Sequence, residues 1–181
     1  RGDPPRGVED WTPPVGALTS AAELAALVAD ETGLCIVGAC YPESTDLGAV
    51  RAKVAAGVSV LITQLFFDTA DYFRLVGALR ADGIEVPVLP GIIPIGSIAQ
   101  LDRMTELCGA TVPEALRREL DARAHDPAAV VDFGVAYATA QCAELLAGGA
   151  PGLHFYTLNR SPATRAIVSA LRAAGRVPAP R

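Results

Sequence analysis

Lysine is nearly absent from this sequence. Of 15 basic residues only Lys53 is a lysine, and every other is arginine. A coding bias with one survivor and a specific need for an ammonium at 53 account for this equally well. Charge of either sign is scarce too: 19% of residues are charged, with a net charge of −5. That balance argues against non-specific binding to nucleic acid or to an anionic membrane surface. No apolar run approaches the roughly 18 residues of a spanning helix, and no signal-peptide pattern is present, so the expected location is the cytoplasm. The four cysteines, Cys35, Cys40, Cys108 and Cys142, have no CxxC spacing and lie among apolar neighbours. They read as small core residues in a reducing compartment, not as a disulfide frame or a zinc site.

Self-contained catalytic motifs are missing as well. There is no GxGxxG after a strand, no GxxxxGKS/T, no HExxH, no GxSxG and no Asp/His cluster with metal spacing. Only two histidines exist: His154 sits mid-strand between Leu153 and Phe155 and reads as a packing residue, while His125 falls in a charged loop and reads as solvated. Any chemistry here points to an organic cofactor.

What is present is a 51% hydrophobic chain of 181 residues, read as a single domain spanning residues 1–181. Residues 4–17 are loop-like. Ser20 then caps a helix that ends at Gly33. LCIVGACY (34–41), VSVLITQLFFD (58–68), VPVLPGIIP (86–94) and GLHFYTLN (152–159) read as strands, the first two buried on both faces. Helices are expected over 46–57, over 69–83 with Thr69 as cap, and over 97–109, 112–123 and 127–149. A last helix runs from Ser161 to about Ala174, with Pro162 at its start. Alternation of this kind gives βαβ units and an α/β fold with a parallel sheet. A doubly wound open sheet and a (β/α)8 TIM barrel both fit, and both gather ligands at strand C-termini.

Those C-termini are polar. Tyr41-Pro42-Glu43 ends the first strand, Thr63-Gln64 lies near the end of the second, Pro90-Gly91-Ile92 closes the third, and Tyr156-Thr157-Leu158-Asn159-Arg160 closes the fourth. Gln64 can pair with the edge of a flat heteroaromatic ligand, or it can satisfy backbone groups at a strand end. Arg1 and Arg160 can hold a carboxylate or phosphate.

Taken in order, RGDPP (1–5), VGACYPE (37–43), DLGAVRAKVAAG (46–57), ITQLFFD (62–68), VPVLPGIIPI (86–95) and GLHFYTLNR (152–160) resemble the methylenetetrahydrofolate reductase family. The resemblance implies a (β/α)8 barrel binding FAD, with NADH or NADPH as electron donor. The flavin reduces 5,10-methylenetetrahydrofolate to 5-methyltetrahydrofolate, in one-carbon metabolism and methionine supply, and donor and folate use one site in turn. By position, Asp3 would lie beneath the flavin as the catalytic carboxylate and also contact the pterin. Gln64, Gln100 and Arg160 would contact substrate. Arg1, Gly2, Asp3, Ala21, Tyr41, Asp46 and Lys53 would line the flavin and its phosphates. No metal is implied, and a homo-oligomer is compatible.

The sequence departs from the family pattern in two places. Tyr41-Pro42-Glu43 runs through Ser44 and Thr45 straight to Asp46, without the family's Gly-His-Pro-type loop. The family barrel also carries four strands ahead of its RGD segment, the first bearing a general-acid glutamate. The expectation is therefore that these residues form the C-terminal half of the barrel, with four parallel strands, and are inactive alone. Two other readings are another flavin- or pterin-binding barrel and a non-catalytic half-barrel assembly module.

Overall fold

A computed structural model describes residues 14–178. Helix α1 (Ala21–Glu31) leads into β1 (Ile36–Cys40), α2 (Gly48–Ala55), β2 (Val58–Leu65), α3 (Thr69–Ala81) and β3 (Val88–Ile92). Three helices follow, α4 (Ile98–Cys108), α5 (Glu114–Asp121) and α6 (Pro127–Ala147), before β4 (His154–Phe155) and α7 (Pro162–Ala173). Every strand pair is parallel and the spatial order is β1-β2-β3-β4. A doubly wound sheet reverses its strand order at a switch point. Among the described residues the sheet has no reversal, so of the two architectures it is the barrel kind, four strands curled as a half-barrel with helices.

Local chemistry sets the element ends. Ser20 Oγ accepts from Glu23 N–H at 3.2 Å, while the Glu23 carboxylate returns to Thr19 N–H and Oγ1, each at 2.7 Å. These bonds hold the Glu23 carboxyl below its ordinary pKa. The α3 cap differs from expectation: Asp68, not Thr69, caps the helix, its Oδ1 accepting from Ala70 N–H at 2.9 Å. A carboxylate at the positive end of a helix is favoured over a hydroxyl one residue later.

Cys40, Leu61, Val88 and Ile92 face the helices and form the main core with Leu75, Leu79, Cys142, Leu145 and Ile167. A second cluster gathers Leu65, Phe67, Ile95, Leu101, Leu116 and Val130. The described residues cover the opposite face only in part. Val37 is 50% exposed, Ala39 is exposed, and Val60, Ile62 and Leu89 are half-buried. The first two strands are thus buried on one face, not both, because the described helices pack on one side.

β4 covers two residues instead of the expected eight. Its polar tail leaves the sheet at Leu158 and Asn159, whose φ values are 49° and 61°. The cysteines divide as well. Burial pushes the thiols of Cys40 and Cys142 up to about 12, but Cys35, one residue ahead of β1, is exposed rather than in the core. His125 is exposed, as expected.

α6 is long and apolar enough to cross a membrane by length and composition alone. Its packing explains that composition: Val130, Gly134, Ala138, Cys142 and Leu145 are buried against the rest of the fold. Gly134 lets the helix backbone approach, since a Cβ there would lie 2.1 Å from the Ile95 carbonyl oxygen.

Candidate active site

The C-terminal ends of β2, β3 and β4 are tied together by two side chains. Thr63 is fully buried, and its Oγ1 accepts from Gly91 N–H at 2.8 Å. Tyr156 reaches across β3 to donate its hydroxyl to the Thr63 carbonyl at 2.8 Å. Gly91 permits the crossing, because a Cβ there would lie 2.2 Å from the Thr63 carbonyl oxygen and 2.6 Å from the Tyr156 ring. Burial raises the pKa of the Tyr156 phenol, which keeps it a neutral donor. His154 packs edge-on to Tyr156 with centroids 4.9 Å apart, the packing role expected of it.

Gln64 stands where the β2–β3 register shifts, between Ile62 and Leu65. Its Oε1 accepts from Leu65 N–H at 2.9 Å. The side chain thus fills a gap in the strand ladder with its oxygen. Its NH2 makes no hydrogen bond among the described residues, so that half of the amide is available to a ligand.

Beside this rim lies a groove of about 910 Å³, at the upper end of the usual range for ligand sites. One wall is the β3–α4 loop and α4, with Gln100, Arg103, Met104 and Leu107. The other is the β4–α7 loop, with Thr157, Leu158 and Arg160. The structure thus brings Gln100 and Arg160 together, while Gln64 is not among the groove-lining residues. Gln100 is largely committed: its Oε1 accepts from Gly96 N–H at 2.8 Å and its Nε2 donates to the Pro94 carbonyl at 3.5 Å. It braces the loop that forms the groove wall. Leu158 is 52% exposed and left-handed, an unusual conformation for a branched non-glycine residue, and such outliers concentrate at ligand sites.

The β1 side carries the other expected residues. Tyr41 is exposed just beyond the strand. Glu43 accepts from Thr111 N–H at 2.8 Å and from Thr111 Oγ1 at 2.5 Å, tying this loop to the α4–α5 connection. Asp46 is exposed and accepts from Gly48 N–H at 2.8 Å, opening α2. Lys53 is 8% exposed. Its ammonium donates to the Ala39 carbonyl, and burial lowers its pKa. Ala21 is the first residue of α1 and is exposed. Arg1, Gly2 and Asp3 lie outside the described residues.

Two supporting residues escape a reading of strand ends. Tyr137 donates its hydroxyl to the Phe67 carbonyl at 2.6 Å, and Gln141 donates from Nε2 to the Phe66 carbonyl at 2.9 Å. Both come from α6 and hold the turn after β2. Their signal is two hydrogen-bonding residues four apart on a largely apolar helix, which places them on one face.

Comparison with known proteins fits this geometry. The family model described as methylenetetrahydrofolate reductase matches residues 1–172. The chain is 33% identical over 180 residues to maize (Zea mays) methylenetetrahydrofolate reductase (NADH) 1, covering 88% of this chain and 30% of that one. It is 35% identical over 127 residues to a probable methylenetetrahydrofolate reductase (NADPH) of Caenorhabditis elegans, covering 70% and 19%. With the 5,10-methylenetetrahydrofolate reductase of Pectobacterium carotovorum it shares 32% identity over 159 residues, 83% of this chain and 53% of that one. The chain spans about a third of the length of the plant relatives it matches. On the family match across nearly its whole length, the chain belongs to the methylenetetrahydrofolate reductase family.

Proposed function

We propose that this chain forms the folate-facing wall of an FAD-dependent reductase that converts 5,10-methylenetetrahydrofolate to 5-methyltetrahydrofolate with NADH or NADPH. The observation that carries the reading is the groove lined by Gln100 and Arg160 beside the rim where Gln64 keeps an unengaged NH2. Donor and folate would take turns in this groove.

The β1 side fits a flavin. Val37 and Ala39 present a small, open apolar floor, Tyr41 stands at its end, and Lys53 has N–H donors beyond the one used by Ala39. When bound, FAD supplies hydride transfer between the pyridine nucleotide and the folate. Lys53 would offset phosphate charge, with Arg1, Gly2, Ala21, Tyr41 and Asp46 lining the rest of the cofactor. Asp3 would oppose negative charge on the reduced ring and favour cationic folate states. The Gln64 NH2 would donate to the pterin, and Arg160 would hold a carboxylate. Turnover on this reading also needs the rest of the barrel, to cover the open face and to deliver a general acid.

The test is anaerobic spectroscopy, with FAD, of these residues joined to strands that complete the barrel. The flavin band should bleach on adding NADH or NADPH and return on adding 5,10-methylenetetrahydrofolate. A flavin that is reduced but never reoxidised by the folate would overturn the assignment.

A further inference from the structure

We propose that Arg103 is a specificity-determining residue, which together with Arg160 holds the two carboxylates of the folate's glutamate tail. The inference rests on the folate reading above and extends it to a residue that neither the strand ends nor the family pattern singled out.

Gln100, Arg103, Met104 and Leu107 follow the i, i+3, i+4, i+7 spacing, so one face of α4 forms the groove wall. Across the groove, Leu158 and Arg160 come from the β4–α7 loop. Among the described residues no aspartate or glutamate lines this groove, although acids outnumber bases 20 to 15 in the chain. The sign of charge is therefore locally reversed. Neither Arg103 nor Arg160 forms an ion pair among the described residues. The adjacent acid on α4, Asp102, is engaged elsewhere, with Arg117 at 2.5 Å.

Gln100 spends its amide on its own loop, which leaves the two guanidiniums as the strong free donors. Met104, Leu107 and Leu158 line the same groove, a surface for an apolar or aromatic body. The matching ligand has a flat body ending in two anionic groups. A folate's benzoyl-glutamate has that composition: one ring and two carboxylates. One guanidinium per carboxylate satisfies both charges by charge-assisted hydrogen bonds.

The experiment is calorimetric titration of these residues, joined to strands that complete the barrel, with two probes, 5-methyltetrahydrofolate and 5-methyltetrahydropteroate, which keeps the ring and benzoyl but lacks the glutamate. Wild type should bind the folate more tightly than the pteroate. Arg103→Ala should weaken the folate by about tenfold, the scale of one charged hydrogen bond, and the pteroate much less. Arg103→Lys should restore part of the difference. Equal weakening of both probes by Arg103→Ala, or no weakening of either, would overturn the proposal. So would a variant that loses NADPH but not folate affinity, since the guanidinium would then serve a nucleotide phosphate. Wild type that binds neither probe removes the folate reading itself, and this inference with it. Wild type that binds both probes equally removes only the two-arginine clamp.

Discussion

Lys53 is set apart from the arginines by its burial as well as by its type. Its ammonium reaches the Ala39 carbonyl from a site that is 8% exposed, and a planar guanidinium is wider and needs more partners. The compositional oddity thus has a positional counterpart. Burial depresses its pKa, so the unfolded chain holds a proton that the folded one has already lost. Between the folded value and the ordinary 10.5, stability from this group rises with pH. Tyr72, Tyr137, Tyr156, Cys40 and Cys142 are raised by burial and act in the opposite sense near their own titrations. The difference between wild type and Lys53→Met isolates the lysine. Denaturant midpoints at pH 8 and pH 10.5 should show the wild type gaining on the variant as pH rises. Parallel curves would show that Lys53 is not desolvated in the folded state. The sequence could flag Lys53 and Gln64 as unusual, but not their partners. That Gln64 turns its oxygen to Leu65 N–H depends on a register shift invisible to strand alternation.

Among elements, strand existence was legible because apolar runs bounded by Gly and Pro are strong signals. Strand length was not. β4 is short because, after Tyr156 has donated its N–H to the Ile92 carbonyl and its hydroxyl across Gly91 to the Thr63 carbonyl, the chain turns away through left-handed Leu158 and Asn159. These are tertiary causes, and they build the groove wall. Helix α6 hid its role for a similar reason: an apolar helix gives no sign that Tyr137 and Gln141 will meet the Phe67 and Phe66 carbonyls. The crossing makes Gly91→Ala the sharpest test of the β2–β3–β4 rim. Its new methyl would meet a backbone oxygen at 2.2 Å, which cannot yield as a side-chain tip can. Stability should fall by at least about 1–3 kcal/mol. Folate affinity should fall further than in a surface variant of equal stability, because Tyr156 and the β4–α7 loop must shift. Urea unfolding and ligand titration check both; a variant with unchanged midpoint and affinity would show that Tyr156 does not cross β3.

At the scale of the whole molecule, the sheet's sequential order decided the barrel architecture, and sequence alternation alone had left it open beside the doubly wound sheet. Among the described residues one face of this sheet is only partly covered. Val37, Ala39, Val60, Ile62 and Leu89 are small or branched apolar residues on a surface that in a closed barrel is filled by side chains from facing strands. β1 and β4 also form the two edges of the described sheet, with ladder groups facing outward. Open parallel edges next to an apolar face favour pairing with another chain or with further strands. The 181 residues produced alone should therefore bind a hydrophobic dye such as ANS and self-associate in gel filtration, without reducing 5,10-methylenetetrahydrofolate. Joined to strands that complete the barrel, the same residues should lose the dye signal, retain flavin and turn over. A monodisperse, dye-free preparation of the 181 residues that holds FAD and reduces the folate would show that the open face needs no cover, and that the proton donor lies within these residues after all.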